Sequence, residues 1–292
     1  MNQRDRKLFI SYLPNLCSYE RIVLDESPIS IRQFMQNVSK TFVELFNRPY
    51  YVSKSTIALV LANFSRCKRY LSEHADTGVI FFQEDAYPAL LREIYDPPFR
   101  LFYRGSPQVS NNRLMSIVGT RYASASALEA AFRSGSEVSS AGCVPVSGCS
   151  NTIEQYIHMG AVAVKRPSLV VLEDMHQTYH RIIDLVLDND GCLFSEYLFD
   201  GTCDAEQVSS KHRIIAGLSD SIMLIQSPKQ SPALEAIRYS LDEGRDVYVH
   251  RTGTTGIQSA GCRFLASEGA RVVFSMNQII DQVYWQSVRC PL

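Results

Sequence analysis

Hydrophobic positions change their spacing once along this chain, close to residue 78. Before that point they recur every three or four residues, as at Ile31, Phe34, Val38 and Phe42, and the stretch 57–70 repeats the spacing. This spacing places apolar side chains on one face of a helix. Residues 1–77 are therefore predicted to form a small α-helical domain.

After residue 78 the apolar positions gather in short runs that are rich in β-branched or aromatic residues, with helix-length stretches between them. Strands that alternate with helices in this way predict a mostly parallel sheet with helices on both faces. Residues 78–292 are therefore predicted to form an extended Rossmann-like, doubly wound α/β domain. The predicted strands are the runs 79–82, 114–118, 144–146, 169–172, 192–194, 222–225, 247–249 and 271–274.

The composition narrows the class of protein. Of 292 residues, 46% are hydrophobic and 20% are charged, and no apolar run reaches the roughly 18 residues that a membrane span needs. The polar start, residues 1–7, leads into no cleavable apolar stretch, and the eight cysteines are scattered without a Cys-x-x-Cys pair. The sequence therefore predicts a cytoplasmic protein with reduced thiols and no membrane partner.

The charge is unevenly distributed. The net charge is -1, so any affinity for nucleic acid must come from a local basic patch. Residues 1–78 carry 11 lysines and arginines against 7 acids, whereas residues 79–292 carry 18 against 23. The small front segment is the basic one.

Small, hydroxyl-bearing or basic residues follow several predicted strands. Ligands of a doubly wound sheet lie beyond the carboxyl ends of the strands, and helix starts there favour anions. Glycine and serine also follow strands because turns need them. Arg121 favours a phosphate-bearing ligand, because few structural reasons put an arginine directly beyond a strand, and Gly119 is expected to let the chain turn tightly before it. The stretches concerned are 119–121, 147–150, 226–227, 231–232 and 250–253.

Two further features have two interpretations each. Lys211 and Arg213 stand at the start of a predicted helical stretch, 214–219, where they either add to a phosphate site or form a solvated helix end. Tyr122, next to Arg121, either stacks on a base or packs against the following helix.

A series of motifs between residues 79 and 274 resembles the DNA-processing (DprA/Smf) family. Tyr-Pro-Ala-Leu-Leu at 87–91 and Leu-Phe-Tyr-Arg-Gly at 101–105 resemble the opening segment of that family, and Gly-Thr-Arg at 119–121 resembles its Gly-[Ser/Thr]-Arg motif. The chain is identified as a diverged member. Further matches are Asp-Pro-Pro at 96–98, Ser147-Gly148 with the segment to His158, Ser-Glu-Tyr at 195–197, Lys211 to Ser219, 244–247 and 268–270.

The resemblance implies a function. It implies a non-enzymatic protein that uses no cofactor, binds single-stranded DNA in a basic pocket and dimerises. It further implies that the protein loads the RecA recombinase onto DNA coated by single-strand binding protein, in natural transformation and DNA recombination. The DNA-binding residues that it implies are Gly119, Thr120, Arg121, Ser147, Gly148, Lys211, His212, Arg213, Ser231, Arg251 and Arg263.

The two ends of the chain carry less of the resemblance. The helical front occupies the place of the family's sterile-alpha-motif or helix-hairpin-helix-like domain by position, without a helix-hairpin-helix glycine signature. Many members have a C-terminal winged helix, and because this chain ends at Leu292 we expect none here.

Departures from the family pattern fall mostly at the predicted pocket. Arg251 and Arg263 add positive charge relative to the family. Glu154 keeps an acidic side chain where the family has aspartate, and Pro232 removes a backbone N–H donor where the family has glycine. We therefore expect DNA binding that is retained with altered geometry. The departing positions are Thr152, Glu154, His212, Pro232, Ala236, His250, Arg251 and Arg263.

Two other classes of function stay open as alternatives. The nearest enzymes are the LOG and lysine-decarboxylase-like nucleotide hydrolases, whose Pro-Gly-Gly-x-Gly-Thr loop has only 253–256 as a counterpart here. No Gly-x-Gly-x-x-Gly follows the first strands, which disfavours a dinucleotide enzyme. The second alternative is a scaffold that dimerises and binds only protein.

No metal site and no catalytic residue are predicted. His176 and His180 are four residues apart, but the glutamate of a zinc protease motif is absent between them. Ser147, Cys149 and His158 suggest nucleophilic catalysis, yet His158 is expected to pack or to hydrogen-bond the loop.

Overall fold

The computed structural model describes residues 2–150, 152–175, 181–199 and 205–280. No helix in these residues is long and apolar enough to cross a membrane. The helices are α1 Gln3–Ser11, α2 Ser18–Glu26, α3 Ile31–Gln36, α4 Val38–Phe46, α5 Lys54–Glu73, α6 Ala89–Arg92, α7 Ala125–Ser140, α8 Thr152–Ala163, α9 Arg181–Leu187, α10 Ala205–Gly217, α11 Ala233–Asp242 and α12 Ala260–Ser267.

The contacts divide the chain into two compact units. One comprises Met1–Tyr87 and Asp96–Leu101, and the other comprises Pro88–Tyr95 and Phe102–Leu292. The domain boundary predicted between residues 77 and 78 stays a prediction.

The periodic stretch at residues 31–42 forms two helices, α3 and α4. They are separated at Asn37, whose φ of -140° and ψ of 48° leave the helical region. Phe42 of α4 is fully buried in this unit and its ring centroid lies 4.2 Å from that of Tyr50. The apolar spacing thus marks the buried face correctly, although the chain bends within it.

The strands form one sheet in the order β1-β2-β6-β5-β4-β3-β7-β8-β9. The predicted Rossmann-like α/β class with a mostly parallel sheet is confirmed. The strands are β1 Thr77–Phe81, β2 Arg100–Gly105, β3 Leu114–Val118, β4 Val144–Ser147, β5 Leu169–Val171, β6 Cys192–Ser195, β7 Ser221–Leu224, β8 Asp246–His250 and β9 Arg271–Val273.

Strand β2 was not among the predicted strands. It pairs antiparallel with β6, with Phe102 opposite Ser195, whereas the pairs from β6 through to β9 are parallel. The strand order reverses at β3, because β4 lies on one side of it and β7 on the other. In open α/β sheets such a reversal creates a crevice beyond the carboxyl ends of the strands.

Helices α7 and α8 pack against each other at two glycines. A Cβ atom on Gly135 would overlap the carbonyl oxygen of Ile157, and one on Gly160 would overlap that of Phe132. The two helix backbones are therefore in direct contact. Both helices begin beside the reversal of strand order, α7 after β3 and α8 after β4.

Candidate functional site

Arg121 lies just beyond β3, at the reversal of strand order. Its side chain is exposed and forms no ion pair with any residue that the structure describes. The backbone around it is held on two sides. The N–H of Thr120 donates to the carbonyl of Gln226 over 2.8 Å, and the hydroxyl of Thr152 donates to the carbonyl of Arg121 over 3.2 Å. The guanidinium therefore projects from a fixed main chain.

Gly119 allows α8 to approach the loop closely and does not form the tight turn that was expected. Its φ is not in the left-handed region, and a Cβ atom there would lie 2.5 Å from Cδ1 of Ile153 in α8. The glycine thus lets the first turn of α8 lie against the loop that carries Arg121.

Gln226, which the sequence analysis did not single out as a site residue, fixes the start of α7. It is buried, its Oε1 accepts from the N–H of Ser124 over 2.9 Å, and its Nε2 donates to the hydroxyl of Ser124 over 3.2 Å. Ser124 in turn caps the helix by accepting from the N–H of Ala127. A polar residue directly after the predicted strand 222–225 was the signal that could have indicated this role.

Ser147 and Gly148 support the loop after β4. Ser147 is fully buried, and its hydroxyl donates to the carbonyl of Ile117 over 2.6 Å. A Cβ atom on Gly148 would lie 2.7 Å from Oε2 of Glu154. The glycine is required there because the Glu154 carboxylate packs against it.

The same loop is held by a buried charged cluster. Glu154 accepts from the N–H of Ser150 over 2.8 Å. Lys211 donates to the hydroxyl of Ser150 over 2.9 Å and to Oε1 of Glu173 over 2.7 Å, with its own side chain only 2% exposed. Burial acts to raise the pKa of Glu173, but the charge and the hydrogen bond of Lys211 outweigh it and hold that pKa below its ordinary value.

The positions of Lys211 and Arg213 correct the sequence interpretation. Helix α10 begins at Ala205, so both residues lie within the helix and not at its start. Arg213 pairs with Glu196 over 2.6 Å, with both side chains mostly buried. Nδ1 of His212 lies 3.1 Å from Oε2 of Glu235, and burial together with the charge of Lys211 lowers the pKa of His212.

Two acids that the sequence analysis did not connect to the basic residues thus neutralise Lys211 and Arg213. Glu173 follows β5 and Glu196 follows β6, so both stand at the same sheet edge as Arg121. Their position within two residues of a strand end was the available signal. Lys211 and Arg213, which α10 brings to the β5 and β6 half of the edge, are therefore neutralised internally.

His158 confirms the expectation that it hydrogen-bonds the loop. The ring is fully buried, with Nε2 2.9 Å from the carbonyl oxygen of Gly148 and Nδ1 3.0 Å from the hydroxyl of Ser168. Burial raises the pKa of the nearby Cys149 thiol to about 12. His176 and His180 lie outside the described residues.

We expect His158 to make stability depend on pH. Burial lowers its pKa to about 4, against about 6.5 in an unfolded chain. The unfolded state therefore binds the proton first as the pH falls. The contribution of His158 to the free energy of unfolding should be complete above about pH 6.5. It should decrease as the pH falls from about 6.5 to about 4, with a slope that approaches about 1.4 kcal/mol per pH unit.

Urea unfolding at a series of pH values checks this. His158→Gln should lose that part of the slope, whereas His74→Gln, at an exposed position, should keep it. Equal slopes in wild type and His158→Gln would contradict the assignment.

The remaining predicted residues lie beyond β7 and β8. The hydroxyl of Ser231 accepts from the N–H of Ala233 over 3.4 Å at the start of α11. Arg251 and Arg263 are exposed. Tyr122 beside Arg121 is 74% exposed, so the interpretation that it packs against the following helix is wrong.

The comparison with known proteins assigns the chain to a family. A family model described as DNA recombination-mediator protein A matches residues 78–284. The chain belongs to the DNA recombination-mediator protein A family. All eleven predicted site residues, from Gly119 to Arg263, fall within the matched span.

Individual members of the DNA recombination-mediator protein A family are distant in sequence. Protein Smf of Synechocystis is 28% identical over 222 residues, which cover 73% of this chain and 56% of that protein. DNA processing protein DprA of Bacillus subtilis is 25% identical over 77% of this chain and 78% of its own length. The chain therefore spans little more than half the length of the Synechocystis relative.

Two solved structures share the fold. DprA of Streptococcus pneumoniae superposes with a TM-score of 0.67 at 22% identity, over 91% of this chain and 98% of that one. DNA processing protein A of Helicobacter pylori gives a TM-score of 0.63 at 18% identity, over 72% and 96%. The structure from Helicobacter pylori was described for its unique single-stranded DNA binding mode.

Proposed function

We propose that this protein binds single-stranded DNA and acts as a recombination mediator without catalysing a reaction. The observation that carries the proposal is Arg121, an exposed cation without an ion pair among the described residues, beyond β3 at the reversal of strand order. The helix starts at Ser124 and Thr152 flank it. A guanidinium between two helix N-termini favours a phosphate group.

Single strands fit this site better than a duplex. The cation and the exposed ring of Tyr122 stand side by side at a strand end, so one nucleotide can place its phosphate on Arg121 and its base on the tyrosine ring. Stacking of bases on aromatic rings is general in single-strand binding and tolerates any sequence. In a duplex the bases are paired and stacked inside the helix, so no base would be free to stack on the Tyr122 ring.

The absence of a catalytic role rests on the state of the candidate nucleophiles. Burial holds Cys149 as a neutral thiol, and the Ser147 hydroxyl donates to a backbone carbonyl. His158 is occupied on both ring nitrogens. A nucleophile needs a base within hydrogen-bond reach, and neither candidate has one among the described residues.

Within this proposal the protein acts as a homodimer that delivers single strands to the RecA recombinase, including strands coated by single-strand binding protein. Membership of a recombination-mediator family supports that role. The Helicobacter pylori relative, which shares the fold, supports single-stranded DNA as the ligand.

Fluorescence anisotropy with labelled oligo-dT, repeated across salt concentrations, tests the proposal. We expect the logarithm of affinity to fall linearly with the logarithm of salt concentration, by about 0.7 for each phosphate that the protein neutralises. A duplex of the same length should bind more weakly. A salt slope near zero would mean that no phosphate is contacted, and equal affinity for duplex would contradict the preference for single strands.

A further inference from the structure

One buried residue, Gln226, holds both ends of the loop that carries Arg121. The loop comprises residues 119–124 and connects β3 to α7. At its first end, the N–H of Thr120 donates to the main-chain carbonyl of Gln226 over 2.8 Å. At its last end, the side-chain amide of Gln226 accepts from the N–H of Ser124 and donates to the Ser124 hydroxyl. A single residue beyond β7 therefore ties down both ends of the loop.

A separate hydrogen bond ties the middle of the loop to α8. Oγ1 of Thr152, the first residue of that helix, donates to the carbonyl oxygen of Arg121 over 3.2 Å. Within the loop, the N–H of Tyr122 donates to Oγ1 of Thr120 over 3.4 Å. Residues 119–124 lie outside the helices and strands, so these bonds supply the order that a helix or a sheet would otherwise supply.

The residues that hold the loop differ in character from those that it presents. Gln226 is 2% exposed and uncharged, whereas Tyr122 is 74% exposed and Arg121 lies in solvent. The main-chain N–H of Ser124 can only donate, so it fixes the Gln226 amide with Oε1 towards it. Thr152 is exposed and also uncharged. The two tethering side chains thus add no charge to the site.

An ordered loop raises affinity without touching the ligand. A segment that becomes ordered only on binding loses conformational entropy at that moment, and the loss weakens the complex. The hydrogen bonds to Gln226 and Thr152 order the main chain of the loop in the free protein. The entropy of the main chain is then lost on folding, and only the side-chain rotamers of Arg121 and Tyr122 would be fixed on binding.

We propose that Gln226 and Thr152 position Arg121 and Tyr122 for single-stranded DNA and act on affinity through those two side chains. This inference rests on the proposed function and adds two positioning residues to it. Gln226 was not among the predicted DNA-binding residues, and Thr152 was noted only as a departure from the family pattern. The affinity for DNA then depends on two uncharged side chains that do not contact it.

Hydrogen exchange in the free protein tests the tethers without DNA. Gln226→Met and Thr152→Val approximately keep the volume of each side chain and remove the atoms that hydrogen-bond the loop. The amide of Ser124 should exchange about fivefold faster in Gln226→Met, the factor that one hydrogen bond contributes. Ser72→Ala is the matched control, because it removes an exposed hydroxyl that donates to the carbonyl of Arg69 in α5. It should leave exchange in the loop unchanged.

Anisotropy titrations with oligo-dT at low salt, where binding is strongest, measure the consequence for affinity. Gln226→Met or Thr152→Val alone should weaken binding about threefold and both together about tenfold, with nearly unchanged thermal melts. In a chain that already carries Arg121→Ala and Tyr122→Ala, both together should cost less than about twofold. The loop then presents neither of the side chains through which the tethers act. Ser72→Ala should leave affinity unchanged.

The outcomes separate this inference from the proposed function. If dT binds and Arg121→Ala weakens it while the tether variants bind like wild type, the positioning role is wrong and the proposed function stands. The positioning role is equally wrong if the tether variants lose the same factor on top of Arg121→Ala and Tyr122→Ala, or if they melt early. Unchanged exchange of the loop amides in the tether variants overturns the inference alone. If the wild-type protein does not bind dT, the proposed function fails and the inference fails with it.

Discussion

Replacing Lys211 by methionine is expected to lower the free energy of unfolding by about 3–5 kcal/mol. The Lys211 ammonium is buried against Glu173 and Ser150. Oε2 of Glu173 is also buried and accepts no hydrogen bond from the described residues. Without the lysine, the carboxylate would keep a charge in a site that has lost its cation. Chemical denaturation measures the loss.

Two further variants make the test specific. Arg133→Met removes an arginine from an exposed pair with Glu129, and such pairs contribute only about 0–1 kcal/mol. Glu173→Leu added to Lys211→Met should restore much of the stability, because apolar replacement of a whole buried pair is often neutral. A stable Lys211→Met protein that binds DNA weakly would instead return Lys211 to the DNA-binding role that the sequence predicted.

Arg121→Ala is expected to weaken single-strand binding tenfold or more while leaving the fold intact. A charge-assisted hydrogen bond to phosphate contributes roughly 1.5–3 kcal/mol, and each 1.4 kcal/mol or so corresponds to a factor of ten. Because phosphates carry no sequence information, oligo-dT and oligo-dC should lose similar factors. The salt slope should fall by about 0.7.

Anisotropy titrations and thermal melts of the same samples check this expectation. Arg133→Ala removes an equal charge from the exposed side of α7 and is the matched control. Should Arg121→Ala bind normally and melt early, the arginine is structural and the contact lies at Arg251 and Arg263.

The fold was largely predictable because its strands are buried on both faces. Runs such as 114–118 are apolar at every position except Ser116. Parallel strands between two helix layers are expected to be nearly continuous in apolar residues, and β3 has the predicted bounds. Strand β2 was not predicted because its short aromatic run lies between Arg100 and Arg104. It also pairs antiparallel, at the far side of β6. No local pattern shows that partner.

The site was predicted less well because some of its contacts join residues that are far apart in the sequence. Arg121 could be placed because its position beyond a strand decides its exposure. Lys211 could not, because its environment is set by Glu173, 38 residues away, and that contact exists only after β5 and α10 have packed. A lysine that looks available for a ligand in the sequence can therefore be paired with an acid inside the folded protein. The exposed side chains of Arg251 and Arg263 agree with their prediction, while their contact with DNA stays a prediction.

The contact of α7 and α8 through Gly135 and Gly160 has a consequence for how a ligand is selected. Side chains can change rotamer to let helices separate, but main-chain atoms in contact cannot yield in that way. The helix starts at Ser124 and Thr152 therefore keep a constant separation whether or not a ligand is present. Under the proposed function, a phosphate group would meet an opening of preset width, and adjustment on binding would fall to the side chains of Arg121 and Tyr122. The protein would then discriminate among anions by their size before it discriminates by their charge.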